Sequence, residues 1–127
     1  MTDHAAIRLE LFPADLDVFV EFYVVVLGFE LIADRRDEPE PYAYVRRGGV
    51  RIGAVTPWEP VDRHRRVPPH GTEIVIEVDD LVKERDRIVA AGHPLAEDLT
   101  ERPWGLTDFR VLDPDGYYLR FTTTLAP

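Results

Sequence analysis

The stretch DLDVFVEFYVVVLG (15–28) decides the fold, because DLVKERDRIVAAG (80–92) repeats its grammar. Each reads as a helix held between an aspartate and a glycine. Aspartate accepts the unpaired N–H groups at a helix start, and glycine takes the left-handed conformation that closes the end. Ahead of each helix, IRLELF (7–12) and EIVIEV (73–78) alternate apolar with polar residues and read as strands. A strand resumes after each helix, at Phe29 to Arg36 and at His93 to Thr100. A hairpin then follows in both copies. The first joins YAYVRR (42–47) to VRIGAV (50–55) around Gly48-Gly49; the second joins LTDFRVL (106–112) to YYLRFT (117–122) around Asp113-Pro114-Asp115-Gly116. Asp15 and Asp80 lie 65 apart, Gly28 and Gly92 lie 64 apart, and Gly49 and Gly116 lie 67 apart. These offsets predict two βαβββ modules in an α+β fold, over about 5–56 and 72–124, within one domain spanning 1–127.

The linker, 57–71, is rich in Pro, Arg and His and does not read as a strand, since proline removes donors and fixes φ. With Trp58 near its start it is a candidate lid; the alternative is a tether whose Arg63, Arg65 and Arg66 are solvated.

Composition narrows the function. The 24 acidic and 15 basic residues give a net charge of −9, which disfavours nucleic acid because phosphate binding needs a clustered positive surface. Cysteine is absent, excluding disulfides, thiolate metal sites and cysteine nucleophiles. Serine is absent too, which removes a Ser–His–Asp triad. The longest apolar run, Phe22 to Leu27, falls far short of the ~20 residues that span a membrane. The polar start, Met1-Thr2-Asp3-His4, reads as a cytoplasmic N-terminus, so a cytoplasmic location is expected. His4, His64, His70 and His93 lack metal-ligand spacing and read as solvated.

FYVVVLGFEL (22–31), following Asp15-Leu16, resembles the first helix and second strand of the vicinal oxygen chelate superfamily. That superfamily includes glyoxalase I, extradiol dioxygenases, and fosfomycin- and bleomycin-resistance proteins. RPWGLTDFRVLDPDGYYLRF (102–121) resembles the C-terminal motif of the bleomycin-resistance-type branch. The resemblance implies paired modules whose mixed sheets curl around a cavity, usually within a homodimer. Metal-dependent members carry four ligands there, typically His, Gln or Glu. Aligning the motifs puts Arg8 at the first position, Arg51 or Gly53 at the second, Glu73 at the third and Arg120 at the fourth. Of these only Glu73 could coordinate a divalent cation, because guanidinium is a permanent cation without a lone pair to offer.

Strand alternation sets Arg8, Glu10 and Phe12 on one face, with Glu73, Val75 and Glu77, and Tyr118, Arg120 and Thr122, on the corresponding faces of their strands. The opposite, apolar faces suit the helix-covered core. The expectation is therefore that Arg8, Arg51 and Arg120 pair with Glu10, Glu73 and Glu77 where relatives hold metal, and that Glu73→Ala destabilises the fold strongly. Trp58, Trp104, Tyr42, Tyr44, Phe12 and Tyr118 are candidate walls for a flat ligand, with Glu10 and Glu77 as polar partners. The expected function is metal-free, cofactor-free capture of a small aromatic or cationic molecule such as an antibiotic, without catalysis. The alternatives are a divalent-metal lyase, isomerase or dioxygenase of the same superfamily, or a metal-free enzyme using Glu10 or Glu77 as base.

Overall fold

Asp15 starts the first helix as its position predicts: its Oδ1 accepts the N–H groups of Asp17 at 2.8 Å and Val18 at 3.3 Å. Asp80 does the same for Lys83 at 3.1 Å. The two helices then differ. In a computed structural model that describes residues 3–124, α1 (Leu16–Val20) runs on as a π-helix (Glu21–Val26), whereas α2 (Leu81–Ala90) stays regular. The first copy has one residue more between its aspartate and its glycine, and the π-helical turns absorb it. The Leu27 N–H accordingly bonds the Phe22 carbonyl, five residues back, at 3.0 Å. Gly28 and Gly92 close the helices at φ 75° and 83°. Met1 and Thr2 of the polar start lie outside the described residues.

The chain divides into two compact units, 1–61 and 62–127, within the expected linker. In the first unit, β1 (Leu9–Leu11), β2 (Glu30–Arg35), β3 (Tyr42–Arg47) and β4 (Val50–Ala54) form a mixed sheet in the order β1-β4-β3-β2. In the second, β5 (Ile74–Glu77), β6 (Glu97–Glu101), β7 (Thr107–Leu112) and β8 (Tyr118–Thr122) follow the order β5-β8-β7-β6. In each sheet the first strand runs parallel to the last, and every other pair is antiparallel. The repeat read from spacing is thus a repeat of topology.

Each sheet buries its apolar face. Phe19, Tyr23 and Leu27 of the helix and Ala43, Val45 and Ile52 of the sheet are all buried in the first unit. In the second, Phe109 and Phe121 sit directly opposite across β7 and β8 and stack with ring centres 4.9 Å apart, alongside buried Ile88 and Leu119. Burying one such side chain contributes about 1.5–3 kcal/mol.

Two expectations need correction. Arg66 of the linker is not simply solvated: Arg63–Arg66 forms a 3-10 turn, Arg66 donates to the Asp115 carbonyl at 3.1 Å, and its guanidinium lies 4.2 Å from the Tyr117 ring centre, whereas Arg63 and Arg65 are exposed as expected. His93 is not a solvated histidine either. It is half-buried, with Nε2 2.7 Å from the Leu112 carbonyl oxygen, because the glycine cap at Gly92 turns it back toward the hairpin.

Candidate functional site

The polar faces of the two sheets carry the candidate groups. In the first unit, register aligns Glu10 with Gly53, and Gly53 with Tyr44. Glu10 receives Arg8 Nε at 2.8 Å and the Tyr42 hydroxyl at 2.9 Å. Burial, then the Glu10 carboxylate, push the Tyr42 hydroxyl above its usual pKa, so it stays a neutral donor at physiological pH. Gly53 makes this contact possible: a Cβ there would overlap both the Tyr42 hydroxyl and a Glu10 oxygen. An open hollow of about 720 Å³ adjoins the arrangement, with Ala33, Pro39, Pro41, Tyr42 and Val55 on its walls.

Gly53→Ala is expected to leave the protein folded, within about 1–2 kcal/mol of the parent, because the crowded atoms are side-chain ends that can swing away. It should break the Tyr42–Glu10 bond, read as a downward shift of the Tyr42 hydroxyl pKa in ultraviolet titration. An unchanged titration would contradict the contact.

Arg51 departs from the expected pairing. It stands opposite Arg46, at the end of the sheet where Arg8 precedes β1, and has no acidic partner among the described residues. The same-face neighbours at that level are themselves cations, and Glu10 is engaged by Arg8. Phe12 is 45% exposed and Trp58 98% exposed.

The second unit holds a larger ion cluster. Arg120 Nη2 meets Glu73 Oε1 at 2.7 Å, and Arg120 Nη1 stands 4.0 Å from Asp108. Asp108 is buried at 1% exposure. Arg102 clasps both of its oxygens, Nε at 3.1 Å to each and Nη2 at 2.8 Å, and Arg110 reaches it at 3.4 Å. Arg102 also pairs with Glu97 at 3.0 Å. Burial pushes the Asp108 carboxyl up, but hydrogen bonds from Arg102 and Arg110 outweigh it and hold the group below its ordinary value. Arg110 lies over the Tyr118 ring at 5.9 Å and meets its hydroxyl at 3.4 Å. Glu77 is exposed at the end of β5, and Trp104 is 58% exposed at the tip of the turn between β6 and β7.

Asp108, Arg102, Arg110 and Glu97 were absent from the sequence candidates. The signal was there for two of them: alternation through LTDFRVL places Asp108 and Arg110 on the face of Tyr118 and Arg120.

Acid sensitivity follows from the charges. Hydrogen bonds from Arg36 and Arg85 hold Asp34 and Asp98 at about 2, and Asp108 is also lowered, against 3.8 for a free aspartate. Groups with depressed folded pKa values contribute stability above the unfolded value and lose it as pH falls through the folded one. The urea midpoint should therefore hold down to a pH of about 4 and fall steadily toward about 2. A midpoint unchanged through that window would contradict these pairings.

The donor set does not suit a divalent metal. Of the aligned residues Arg8 and Arg120 are guanidinium groups, the second position offers Arg51 or Gly53, the one carboxylate is tied to Arg120, and no three His, Asp or Glu side chains converge among the described residues. No helix among these residues is long and apolar enough to cross a membrane.

Comparison with known proteins places the chain. It is 31% identical over 126 residues to a probable lactoylglutathione lyase of Vibrio cholerae serotype O1, covering 94% of this chain and 90% of that protein. The solved structure of TioX from Micromonospora sp. ML1 superposes with a TM-score of 0.77 at 27% identity, over 95% of this chain and 99% of that one. A glyoxalase/bleomycin resistance protein/dioxygenase from Alicyclobacillus acidocaldarius shares the fold, with a TM-score of 0.77 at 22% identity over 97% and 93% of the two chains. Residues 2–121 match the family model, and the chain belongs to the glyoxalase/bleomycin resistance protein/dioxygenase superfamily.

Proposed function

We propose that this protein captures a small aromatic molecule, an antibiotic being the leading candidate, by stoichiometric binding without a metal ion and without turnover. It would act as a cytoplasmic homodimer. The observation that carries the reading is the guanidinium of Arg120, paired with Glu73 at 2.7 Å, at a position that the family resemblance aligns with a metal ligand. A cation fixed there repels a divalent ion instead of binding it. Exposed Trp58 and Trp104, and half-buried Tyr42, Tyr44 and Tyr118, supply flat surfaces for stacking. Within the first unit, Glu10 beside Tyr42 suits a positively charged group.

Tryptophan fluorescence tests this. Titration with a panel of cationic and neutral aromatic antibiotics should give saturable quenching that a chelator leaves unchanged. Silence across the panel would count against capture. The identity to a probable lactoylglutathione lyase favours one second reading, a lyase. Chelator-sensitive turnover of lactoylglutathione would establish it in place of capture.

A further inference from the structure

We propose that the polar face of the second unit binds an oxyanion, a carboxylate or a group of like geometry, on the Nε–Nη2 edge of Arg120 that Glu73 occupies in part. This rests on the reading of these faces as ligand surfaces and adds the ligand's charge. Arg110 and Arg120 stand directly opposite each other on β7 and β8. Like charges so placed are destabilising unless an anion lies between them.

The internal anions meet this need only in part. Asp108 is committed to Arg102, which takes both its oxygens at 2.8–3.1 Å. Arg110 is left with bonds of 3.4 Å, and Arg120 with a 4.0 Å approach. Glu73 contacts Arg120 through one oxygen on Nη2, while the neighbouring Nε is buried with no acceptor. Nε and Nη2 share one edge of the guanidinium, the planar fork that takes both oxygens of a carboxylate. Half of that fork is unfilled. A buried donor without an acceptor is costly, so an oxyanion that completes the fork is favoured.

Glu73 can yield its place. Its side chain is 33% exposed, and it lies just outside β5, an edge strand. The cluster holds Arg102, Arg110 and Arg120 against Asp108, Glu97 and Glu73, so exchanging Glu73 for a ligand carboxylate preserves the local charge balance. The buried polar atom left without a partner is a donor, Arg120 Nε, which favours an anion over a cation.

Calorimetric titration with 1-naphthoate, 1-naphthamide and 1-naphthylmethylammonium tests the site, since the three share one ring and differ in charge. Naphthoate should bind about ten-fold or more tightly than either of the others, as expected of charge-assisted hydrogen bonds. Inorganic phosphate should compete with it. Glu73→Gln should strengthen naphthoate binding, because it removes the internal competitor, and should leave naphthamide unchanged. Arg120→Met should abolish the preference; if that variant does not fold, Glu73→Gln decides. Equal binding of naphthoate and naphthamide, or weakened naphthoate binding in Glu73→Gln, would overturn the proposal. Binding of the ammonium probe alone would remove the oxyanion site and leave capture standing. If none of the three binds, the oxyanion site is refuted, and the antibiotic panel separately decides capture.

Discussion

Replacing Asp108 by alanine is expected to lower stability by about 3–5 kcal/mol, the usual effect of removing one partner from a buried ion pair. Asp108 is the one fully buried carboxylate among the described ion pairs, and Arg102, Arg110 and Arg120 all turn toward it. Without it, Arg102 keeps Glu97 and Arg120 keeps Glu73, while Arg110 retains only the Tyr118 hydroxyl and a distant Glu97. Three cations then share a half-buried face with less compensation. At this chain length the thermal midpoint should drop by about 10 °C or more. Asp108→Asn should fall between, since an amide oxygen still accepts one guanidinium. Glu73→Ala, which sequence reading ranked as the severe change, should cost only about 1 kcal/mol or less, because its carboxylate is a third exposed and makes one ion pair. Melting curves of the two alanine variants decide the order. A larger loss for Glu73→Ala would show the cluster to be centred elsewhere.

Gly116→Ala should cost nearly as much, for a different reason. Gly116 adopts φ +85°, where a side chain is strained, and a Cβ would stand 2.5 Å from the Arg63 carbonyl oxygen. Backbone cannot swing aside as a side-chain end can. Strain of about 1–3 kcal/mol adds to overpacking of about 1–3 kcal/mol. Gly92 provides the control: its φ is +83°, and nothing lies within 4 Å of its Cβ position. Gly92→Ala thus carries the conformational cost alone, about 1–3 kcal/mol. The difference between the two urea midpoints measures the docking of the Arg63–Arg66 turn on the Asp113–Tyr117 turn. Equal midpoints would mean that this contact contributes nothing.

The fold was legible because its signals are local. Asp15 and Asp80 cap helices through their own side chains, Gly28 and Gly92 end them, and alternation separates Ile76 from Glu77 and Phe121 from Arg120. The π-helix was visible only as the difference between offsets of 65 and 64, a signal that names an extra residue but not its conformation. The candidate site was harder to read. Arg8, Glu73 and Arg120 were found through a resemblance and Glu10 through alternation; the Arg8–Glu10 pair is local to one strand, whereas the Arg120–Glu73 pair follows strand register, which alternation does not specify. Arg102 was missed because it lies on a turn, where its approach to Asp108 depends on the chain reversal at Gly105. Arg66 was misread because its partners, Asp115 and Tyr117, are far along the chain.

If charge stands in place of metal on these faces, calorimetric titration of the chelator-treated protein with zinc, nickel and cobalt should give weak, non-saturating heats that are the same in the parent and in Glu73→Gln. A tight, stoichiometric site lost in Glu73→Gln would show instead that the faces hold a metal.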